Sequence, residues 1–339
     1  MKENLSRAAK IIYGSGDLGF SLTTTIIGAY FLFFLTDVVG IAPAVAGIAI
    51  LVGRTWDYLN DPLIGHISDR TRSRWGRRRP FLLFGALPFA LAFMLMWYRP
   101  PFESQVALAA YYSVAYVLFD AAATFVYMPY FALTPELTEN YDERTSLTSY
   151  RMFFSIFGSL LAFTVPMMII GTFTPQSAAK VMLMAVIFGV ASALPLWLVF
   201  FNTRENAVFV AQEKPKMLDS LKAALKNRPF VFSAVIYLLT WVCMDILQTT
   251  LLFFIKYALG LEAQSDLLMA LIFVTAIIAL PFWEYTSRKI NKRIAYAIGI
   301  GFWAVVQIVL ITVGPSVSQP VIFFLCVMAG IGVDRKSVV

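Results

Sequence analysis

The sequence predicts an all-α protein that crosses a membrane many times. Of its 339 residues, 59% are hydrophobic and only 14% are charged, and the mean hydropathy is +0.74. Soluble domains are nearer half apolar and about a quarter charged, so the polar residues here are too few to cover a water-facing surface. Apolar stretches of about 20 residues, the length that a helix needs to cross a bilayer, recur along the whole chain.

Charged segments divide these stretches into nine full spans and a shorter tenth. The first span is not a cleaved signal peptide, because its apolar stretch is too long and Asp17 interrupts it. In order, we predict helices over 11–37, 43–67, 80–98, 106–133, 149–171, 179–201, 230–257, 265–286, 294–313 and 320–333.

The distribution of basic residues predicts the orientation of these spans. With the N-terminus inside, 22 of the 27 Lys and Arg residues fall on one side of the membrane. Cytoplasmic loops collect basic residues, so we expect a cytoplasmic N-terminus and a location in the plasma membrane, the inner membrane of a bacterium. The net charge of +7 then reflects topology and contact with anionic lipid headgroups rather than nucleic-acid binding.

The longest polar stretch predicts the domain organisation. We expect an N-terminal six-helix bundle over 1–202, a cytoplasmic linker over 203–228, and a partial C-terminal bundle of four helices over 229–339. The linker contains KPKMLDSLKAALKNRP, whose apolar residues recur at helical spacing and predict an amphipathic surface helix. Because six spans precede the linker and four follow it, we expect the chain to stop within a longer protein.

The second predicted helix has the densest group of charged residues inside a span. Asp57 and Asp61 are four residues apart, so one helical face presents both carboxylates, with Asn60 and Arg54 each three residues from Asp57. Two like charges in a low dielectric need a cation or a shared proton between them. One Arg cannot neutralise two acids, which favours an oxygen-ligand site for Na⁺ or H⁺ over a purely structural ion pair.

Enzyme chemistry is not expected. The single histidine, His66, lies at a helix end, and the two cysteines, Cys243 and Cys326, lie separately in apolar runs. These residues provide no convergent nucleophile and base, no structural zinc site and no disulfide framework. We therefore predict no cofactor beyond a coupling cation.

Two long motifs carry a family resemblance. The first motif runs from the second helix into the next loop and reads RxWDxxNDPxxGxxxDRTRSRWGRxRP. The second comes after the fourth helix and reads PxxALTPELTxxYDERTxLxxYR. Together with YGSGDLG in the first helix and NRPF at the seventh, they resemble the glycoside–pentoside–hexuronide:cation symporters, a family of the major facilitator superfamily. The resemblance extends over essentially the whole chain.

The resemblance implies a fold, an activity and a cation site. The fold is two six-helix bundles around a midplane cavity that opens alternately to either side, of which the C-terminal bundle is incomplete here. The activity is uptake of a sugar or glycoside coupled to Na⁺ or H⁺. The implied cation ligands are Asp57, Asn60 and Asp61 on the second helix and Thr124 on the fourth.

The substrate side matches the family less well. The acidic substrate ligands of melibiose-type members correspond to Ser21 and Tyr127 here, and their aromatic platform corresponds to Phe131, whereas Arg151 matches. The lost carboxylates argue against galactoside specificity and leave other glycosides, pentosides and hexuronides open. Two further acids are candidates for the cavity: Asp120, one turn before Thr124, and Asp17, which either contacts substrate or closes the N-terminal bundle through a buried hydrogen bond.

The remaining assignments concern gating and partners. We expect structural or gating roles for the charged residues Arg54, Asp69, Arg70, Arg74 and Arg144. We also expect four loop acids, solvated or paired with basic loop residues, to act as a cytoplasmic latch: Glu136, Glu139, Asp142 and Glu143. The expected partners are a small sugar and the lipid bilayer, with the protein monomeric. Alternatives are an uncoupled facilitator, a carrier of amphiphiles or lipids on the same fold, and a truncated fragment that does not transport.

Overall fold

The computed structural model describes residues 5–138, 140–205, 224–253, 265–290, 292–312, 317 and 319–333. These residues form ten α-helices, each overlapping one predicted span. The helices are α1 (Arg7–Phe33), α2 (Pro43–Arg70), α3 (Arg79–Met96), α4 (Gln105–Leu137), α5 (Tyr141–Ile170), α6 (Ala178–Asn202), α7 (Arg228–Phe253), α8 (Ser265–Ile290), α9 (Lys292–Thr312) and α10 (Gln319–Val333).

The helix ends follow local sequence signals. The Ser6 side chain accepts a hydrogen bond from the Ala9 amide and caps the first turn of α1. A six-residue π-helical segment, Phe34–Val39, continues α1 and ends at Gly40, whose φ of 87° is in the left-handed region that glycine tolerates. Asn140 caps α5 by accepting a hydrogen bond from the Asp142 amide. As a result α5 begins eight residues earlier than the predicted span.

Helix α1 packs against three neighbouring helices, α4, α5 and α6, which glycines of α1 allow to approach closely. A Cβ atom on Gly14 would lie 2.9 Å from the α5 backbone, and one on Gly16 would lie 2.5 Å from the Tyr130 ring of α4. A Cβ atom on Gly19 would collide with the Ser192 carbonyl of α6. The YGSGDLG motif thus sets the close packing of α1 against α4, α5 and α6.

A reciprocal pair of tyrosines joins α1 to α4 in the same region. The Tyr13 hydroxyl donates to the Tyr130 carbonyl at 3.0 Å, and the Tyr130 hydroxyl donates to the Tyr13 carbonyl at 2.6 Å. Both side chains are fully buried, and their ring centroids are 5.0 Å apart. Each buried hydroxyl therefore has its hydrogen-bond partner on the neighbouring helix.

Helices α2 and α4 run parallel and in register. At their first turns the Ala42 amide donates to the Gln105 side chain at 3.0 Å. Further along, Gly53 accommodates the Tyr116 ring, which a Cβ atom at position 53 would overlap. Both contacts join positions 63 residues apart. Because the offset is constant over about three turns, residues of α2 face residues of α4 that are 63 positions later.

The later helices pack onto α5 through α8. Phe163 of α5 contacts Phe273 of α8, with ring centroids 5.4 Å apart, and Ile156 packs against Ala276 and Leu280 in one apolar cluster. Within this part of the chain, a Cβ atom on Gly330 of α10 would lie 2.5 Å from a backbone oxygen of α8, so these two helices cross closely.

Five of the described helices are long and apolar enough to span a membrane: α1 with its π-helical segment, α3, α4, α5 and α6. α2 is not among them because Arg54, Asp57, Asn60 and Asp61 interrupt its apolar surface. Helices α7 to α10 contain shorter apolar stretches within the described residues. Most of the predicted linker, including its amphipathic helix, lies outside the described residues, and the division into 1–202, 203–228 and 229–339 stays a prediction.

Candidate functional site

The seam between α2 and α4 brings together the predicted cation ligands. The Thr124 hydroxyl of α4 donates to Oδ1 of Asp61 on α2 at 3.2 Å, again across the offset of 63 positions. This contact is two turns beyond the packing of Gly53 against Tyr116. The register therefore places a hydroxyl and a carboxylate from two helices at one point.

Asn60 and Asp57 complete the α2 face of this site. Asn60 is 3% exposed, and its Nδ2 atom has no hydrogen-bond partner in the described part of the chain. A buried amide without a partner is costly, and a half-turn of the amide would present its oxygen at the same place. Asp57 is half-buried and interacts electrostatically with Asp61 and with Arg54, which also interacts electrostatically with Tyr116.

Asp120 belongs to the same seam. It is half-buried on α4, and its Oδ2 atom is inaccessible to solvent and has no hydrogen-bond partner among the described residues. It interacts electrostatically with Asp57 and Asp61. The structure therefore places Asp120 beside the predicted cation ligands, and its predicted contact with substrate stays a prediction.

A buried ion pair joins α1 to α5. Nε of Arg151 donates to Oδ2 of Asp17 at 2.9 Å, and the side chains are 13% and 4% exposed. The guanidinium carbon lies 4.5 Å from the Phe131 ring centroid and 5.4 Å from that of Tyr130, both on α4. Arg151 is ten residues into α5 rather than at its start, so the pair lies well inside the bundle.

The other predicted substrate residues are packed within the N-terminal bundle. Ser21 is 3% exposed, and its hydroxyl donates to the Asp17 and Leu18 carbonyls of its own helix while facing Gly158 of α5. The ring of Tyr127 packs 4.8 Å from that of Phe20, and its buried hydroxyl has no partner in the described chain. Their contact with substrate stays a prediction.

The charged residues of the loop between α2 and α3 form a network with the end of α4. Arg78 pairs with Asp69 of α2 at 2.9 Å, and both Arg77 and Arg78 pair with Glu136, which is 4% exposed. Glu136 thus lies buried in the last turn of α4 rather than in a loop, and it is paired with two basic residues that precede α3, not solvated. Arg144 donates to the Thr138 and Pro135 carbonyls and holds the turn between α4 and α5.

Two further predicted gating residues, Arg74 and Arg70, form no ion pair among the described residues. Arg74 lies over the Trp75 ring at 4.2 Å. Arg70 is exposed at the end of α2. In the predicted latch, Lys10 pairs with Glu143 at 2.9 Å, whereas Glu139 lies outside the described residues.

Sequence reasoning missed a reciprocal cap between α3 and α6. The Glu205 carboxylate accepts hydrogen bonds from the Arg77, Arg78 and Arg79 amides at 2.8 to 3.0 Å, at the first turn of α3. The Arg79 side chain in turn donates to the Phe200 carbonyl at the end of α6. Each helix end thus has its unpaired backbone groups satisfied by the other.

Comparison with known protein families identifies the chain. The profile of the MFS/sugar transport protein family matches residues 12–338, nearly the whole sequence. The chain belongs to this family. The match places it in the major facilitator superfamily and confirms its assignment to the glycoside–pentoside–hexuronide:cation symporters. It is therefore an integral membrane protein of a transporter family.

Three relatives illustrate the range of the family. An uncharacterized symporter of Synechocystis is 32% identical over 98% of this chain and 76% of its own length. The isoprimeverose transporter of Lactiplantibacillus pentosus is 29% identical over 88% of this chain and 63% of its own. A sodium-dependent lysophosphatidylcholine symporter of Danio rerio is 26% identical over 98% of this chain and 68% of its own.

The fold agrees with the family. The xylose symporter XylE of Escherichia coli, with 6-bromo-6-deoxy-D-glucose bound, superposes with a TM-score of 0.67 over 98% of this chain and 80% of its own, at 16% identity. At that identity the likeness concerns the fold alone. It confirms the predicted all-α major facilitator architecture.

Proposed function

We propose that the protein is a cation-coupled symporter that moves a sugar or glycoside by alternating access. The observation that carries the proposal is the seam between α2 and α4. There the Thr124 hydroxyl meets the Asp61 carboxylate at 3.2 Å, beside the buried amide of Asn60 and one turn from Asp57. Carboxylate, hydroxyl and amide oxygens are hard ligands, which suit Na⁺ or a proton rather than a transition metal.

A bound cation also accounts for the charge at this seam. Two half-buried carboxylates on one helical face repel each other, and Arg54 supplies one guanidinium beside Asp57. An ion at Asp57, Asn60, Asp61 and Thr124 would relieve this repulsion. The ion would then bind most tightly to conformers in which Asp61 of α2 lies next to Thr124 of α4.

The substrate side follows along the same helix. Phe131 is two turns after Thr124 on α4, about 10 Å along the helix axis at 1.5 Å per residue. Its ring lies beside Arg151, which pairs with Asp17. An aromatic ring and a carboxylate and guanidinium pair can stack on a sugar ring and hydrogen-bond its hydroxyls. The isoprimeverose transporter among the relatives supports a glycoside as the substrate class.

Coupling is explained if both ligands favour the same conformer. One helix, α4, carries Thr124 of the cation site and Phe131 of the substrate side, so a movement of α4 changes both. A ligand shifts a conformational equilibrium only by its differential affinity for the two states, and the effect is reciprocal.

We further propose that the N-terminus is cytoplasmic, that the protein acts as a monomer in the plasma membrane, and that the network around Glu136 contributes to gating with Asp69 and Arg144.

Reconstitution of the full chain into proteoliposomes tests this function. Radiolabelled isoprimeverose and a labelled glucuronide are offered with an inward Na⁺ gradient, an inward proton gradient, or neither. We expect one gradient to drive accumulation above the external concentration. Asp61→Asn should abolish the accumulation, whereas Glu103→Gln, which removes an exposed carboxylate from the loop between α3 and α4, should not. Uptake that is the same with and without either gradient would remove the symport proposal.

A second candidate is a carrier of amphiphiles on the same scaffold. The relationship to the lysophosphatidylcholine symporter favours it, and so does the apolar setting of Arg151, whose guanidinium lies over two aromatic rings. Labelled lysophosphatidylcholine in the same proteoliposomes separates the two candidates. Na⁺-driven uptake of the lipid without uptake of either sugar would favour the amphiphile carrier.

A further inference from the structure

A cavity of about 310 Å³ lies at the end of the N-terminal bundle where α1 begins. Leu5 and Ala9 line it at the start of α1, Leu137 at the end of α4, and Leu147 in α5. The end of α6 and the residues just after it, 201–204, supply the rest of the wall. The volume is at the lower end of the range of about 300–1,000 Å³ that small-molecule sites occupy. None of these residues belongs to the proposed cation or substrate site.

Of the described residues that line this cavity, Arg204 alone is charged. Its side chain is exposed and forms no ion pair or hydrogen bond with another described residue. The nearby carboxylate of Glu205 is directed to the start of α3, where it accepts three backbone amides, and it interacts electrostatically with Arg79. Because α1 begins beside the cavity, the positive end of its helix dipole adds to the charge of Arg204. The cavity is therefore suited to a ligand with a negative charge.

An exposed apolar stripe along α6 leads to this cavity. Its residues recur three or four positions apart, which places them on one helical face, and each is between 45% and 70% exposed. They are Leu183, Ile187, Val190, Leu194, Leu198 and Phe201. From Leu183 to Phe201 the helix rises about 27 Å at 1.5 Å per residue, close to the ~30 Å of a hydrocarbon core. Phe201 also lines the cavity, so the cavity lies where the apolar stripe ends, at the depth of the lipid headgroups.

We propose that this cavity binds the headgroup of an anionic phospholipid, with the Arg204 guanidinium on the phosphate and an acyl chain along the α6 stripe. A lipid fits better than a soluble anion, because the charged cavity and the exposed apolar face meet at Phe201. Basic pockets between transmembrane helices near the membrane surface bind anionic headgroups. One leaflet of the hydrocarbon core is about 15 Å thick, or about ten helical residues, so the chain extends from Phe201 to about Val190.

Native mass spectrometry of the purified full chain in detergent tests this site. Palmitoyl-oleoyl phosphatidylglycerol is titrated in without Na⁺ or substrate, and one lipid should bind the unmodified protein more tightly than the rest. Phosphatidylcholine with the same acyl chains should bind about fivefold more weakly, because its choline brings a positive charge beside Arg204. An excess of glycerol phosphate, which has the phosphate without the acyl chains, should leave the lipid bound.

Two pairs of variants locate the lipid. Arg204→Gln should raise the Kd for phosphatidylglycerol at least about tenfold through the loss of a charge-assisted hydrogen bond. Arg72→Gln removes an exposed charge from the loop between α2 and α3 and should leave the Kd unchanged. Ala9→Phe fills the cavity but keeps the charge, so it should also raise the Kd, whereas Ala8→Phe, at an exposed position of the same turn, should not. Size-exclusion profiles establish that each variant is folded.

The outcomes that would overturn the lipid site are distinct from a failure of transport. They are the absence of one tightly bound lipid, and equal Kd values for phosphatidylglycerol and phosphatidylcholine. Equal weakening by Arg204→Gln and Arg72→Gln would assign the effect to net charge, and an unchanged Kd in either Arg204→Gln or Ala9→Phe would place the lipid elsewhere. Displacement by glycerol phosphate would indicate a site for soluble anions instead. This inference goes beyond the proposed function, so failure of gradient-driven uptake would contradict the proposed symport alone.

Discussion

The ion pair between Asp17 and Arg151 predicts a large loss of stability when only one partner is removed. In Asp17→Asn the guanidinium stays buried, at 13% exposure, without its carboxylate. Gly14 and Gly16 hold α1 so close to α5 and α4 that the helices cannot easily separate to admit water. Breaking a buried ion pair costs about 3–5 kcal/mol. For a bundle of about 200 residues this lowers Tm by about 6–20 °C, at about 2–4 °C per kcal/mol.

Thermal unfolding of the purified protein in detergent, followed by circular dichroism without substrate, measures the effect. The double variant Asp17→Asn with Arg151→Met removes both charges and should recover a substantial part of the lost stability. Ser15→Ala serves as a control, because this residue is on the same helix and its hydroxyl bonds only the Ile12 carbonyl among the described residues; it should change Tm by less than about 2 °C. A small change in Tm for Asp17→Asn would refute the reasoning. So would a double variant whose change in Tm equals the sum of the two single changes, because the two charges would then not be coupled.

Two other predictions concern helix contacts. Gly53→Ala places a methyl group in the Tyr116 ring, so we expect the free energy of unfolding to fall by about 1–3 kcal/mol and ²²Na⁺ to bind more weakly. Gly47→Ala is the control: a Cβ atom there meets no neighbour within 4 Å, so this variant should bind Na⁺ normally. Equal Na⁺ affinity in both variants would contradict the packing role of Gly53. Glu205→Ala removes the acceptor for three amides at the start of α3, so it should lower the free energy of unfolding, measured by thermal unfolding, by about 0.5–2 kcal/mol. Glu205→Gln keeps one acceptor oxygen and should lower it by less. An unchanged Tm for Glu205→Ala would exclude a capping role.

Hydropathy was sufficient to locate the helices but not to predict their ends. α5 begins at Tyr141 rather than at 149, because Asn140 caps the helix there. The first turn of α5 contains acidic residues, and hydropathy alone therefore predicts a loop for it. The cap signal was present in the sequence, since Asn at the N-cap followed by Asp142 and Glu143 is favourable at a helix start. Glu136 was read as a loop residue for the same reason, although it is buried at the end of α4.

The candidate site divides along similar lines. The α2 carboxylates could be predicted because residues four apart on a helix share a face, and Thr124 followed from the family resemblance. The position of Asp120 beside Asp57 and Asp61 depends on the register of α2 and α4, which are distant in the sequence, and no local pattern encodes that register. The cap on α3 by Glu205 escaped prediction for the same reason, because it is a contact between distant parts of the chain.

The hydrogen bond between Thr124 and Asp61 offers the most direct test of the proposed cation site. Thr124→Val keeps the shape of the side chain but removes the hydroxyl, and Thr124→Ser keeps the hydroxyl. Losing one ligand and one hydrogen bond, about 0.5–1.5 kcal/mol, should raise the Kd for ²²Na⁺ by about two- to tenfold in Thr124→Val. Thr124→Ser should retain the Kd of the unmodified protein. Equal Kd values for the Val and Ser variants and the unmodified protein would contradict a cation site between α2 and α4.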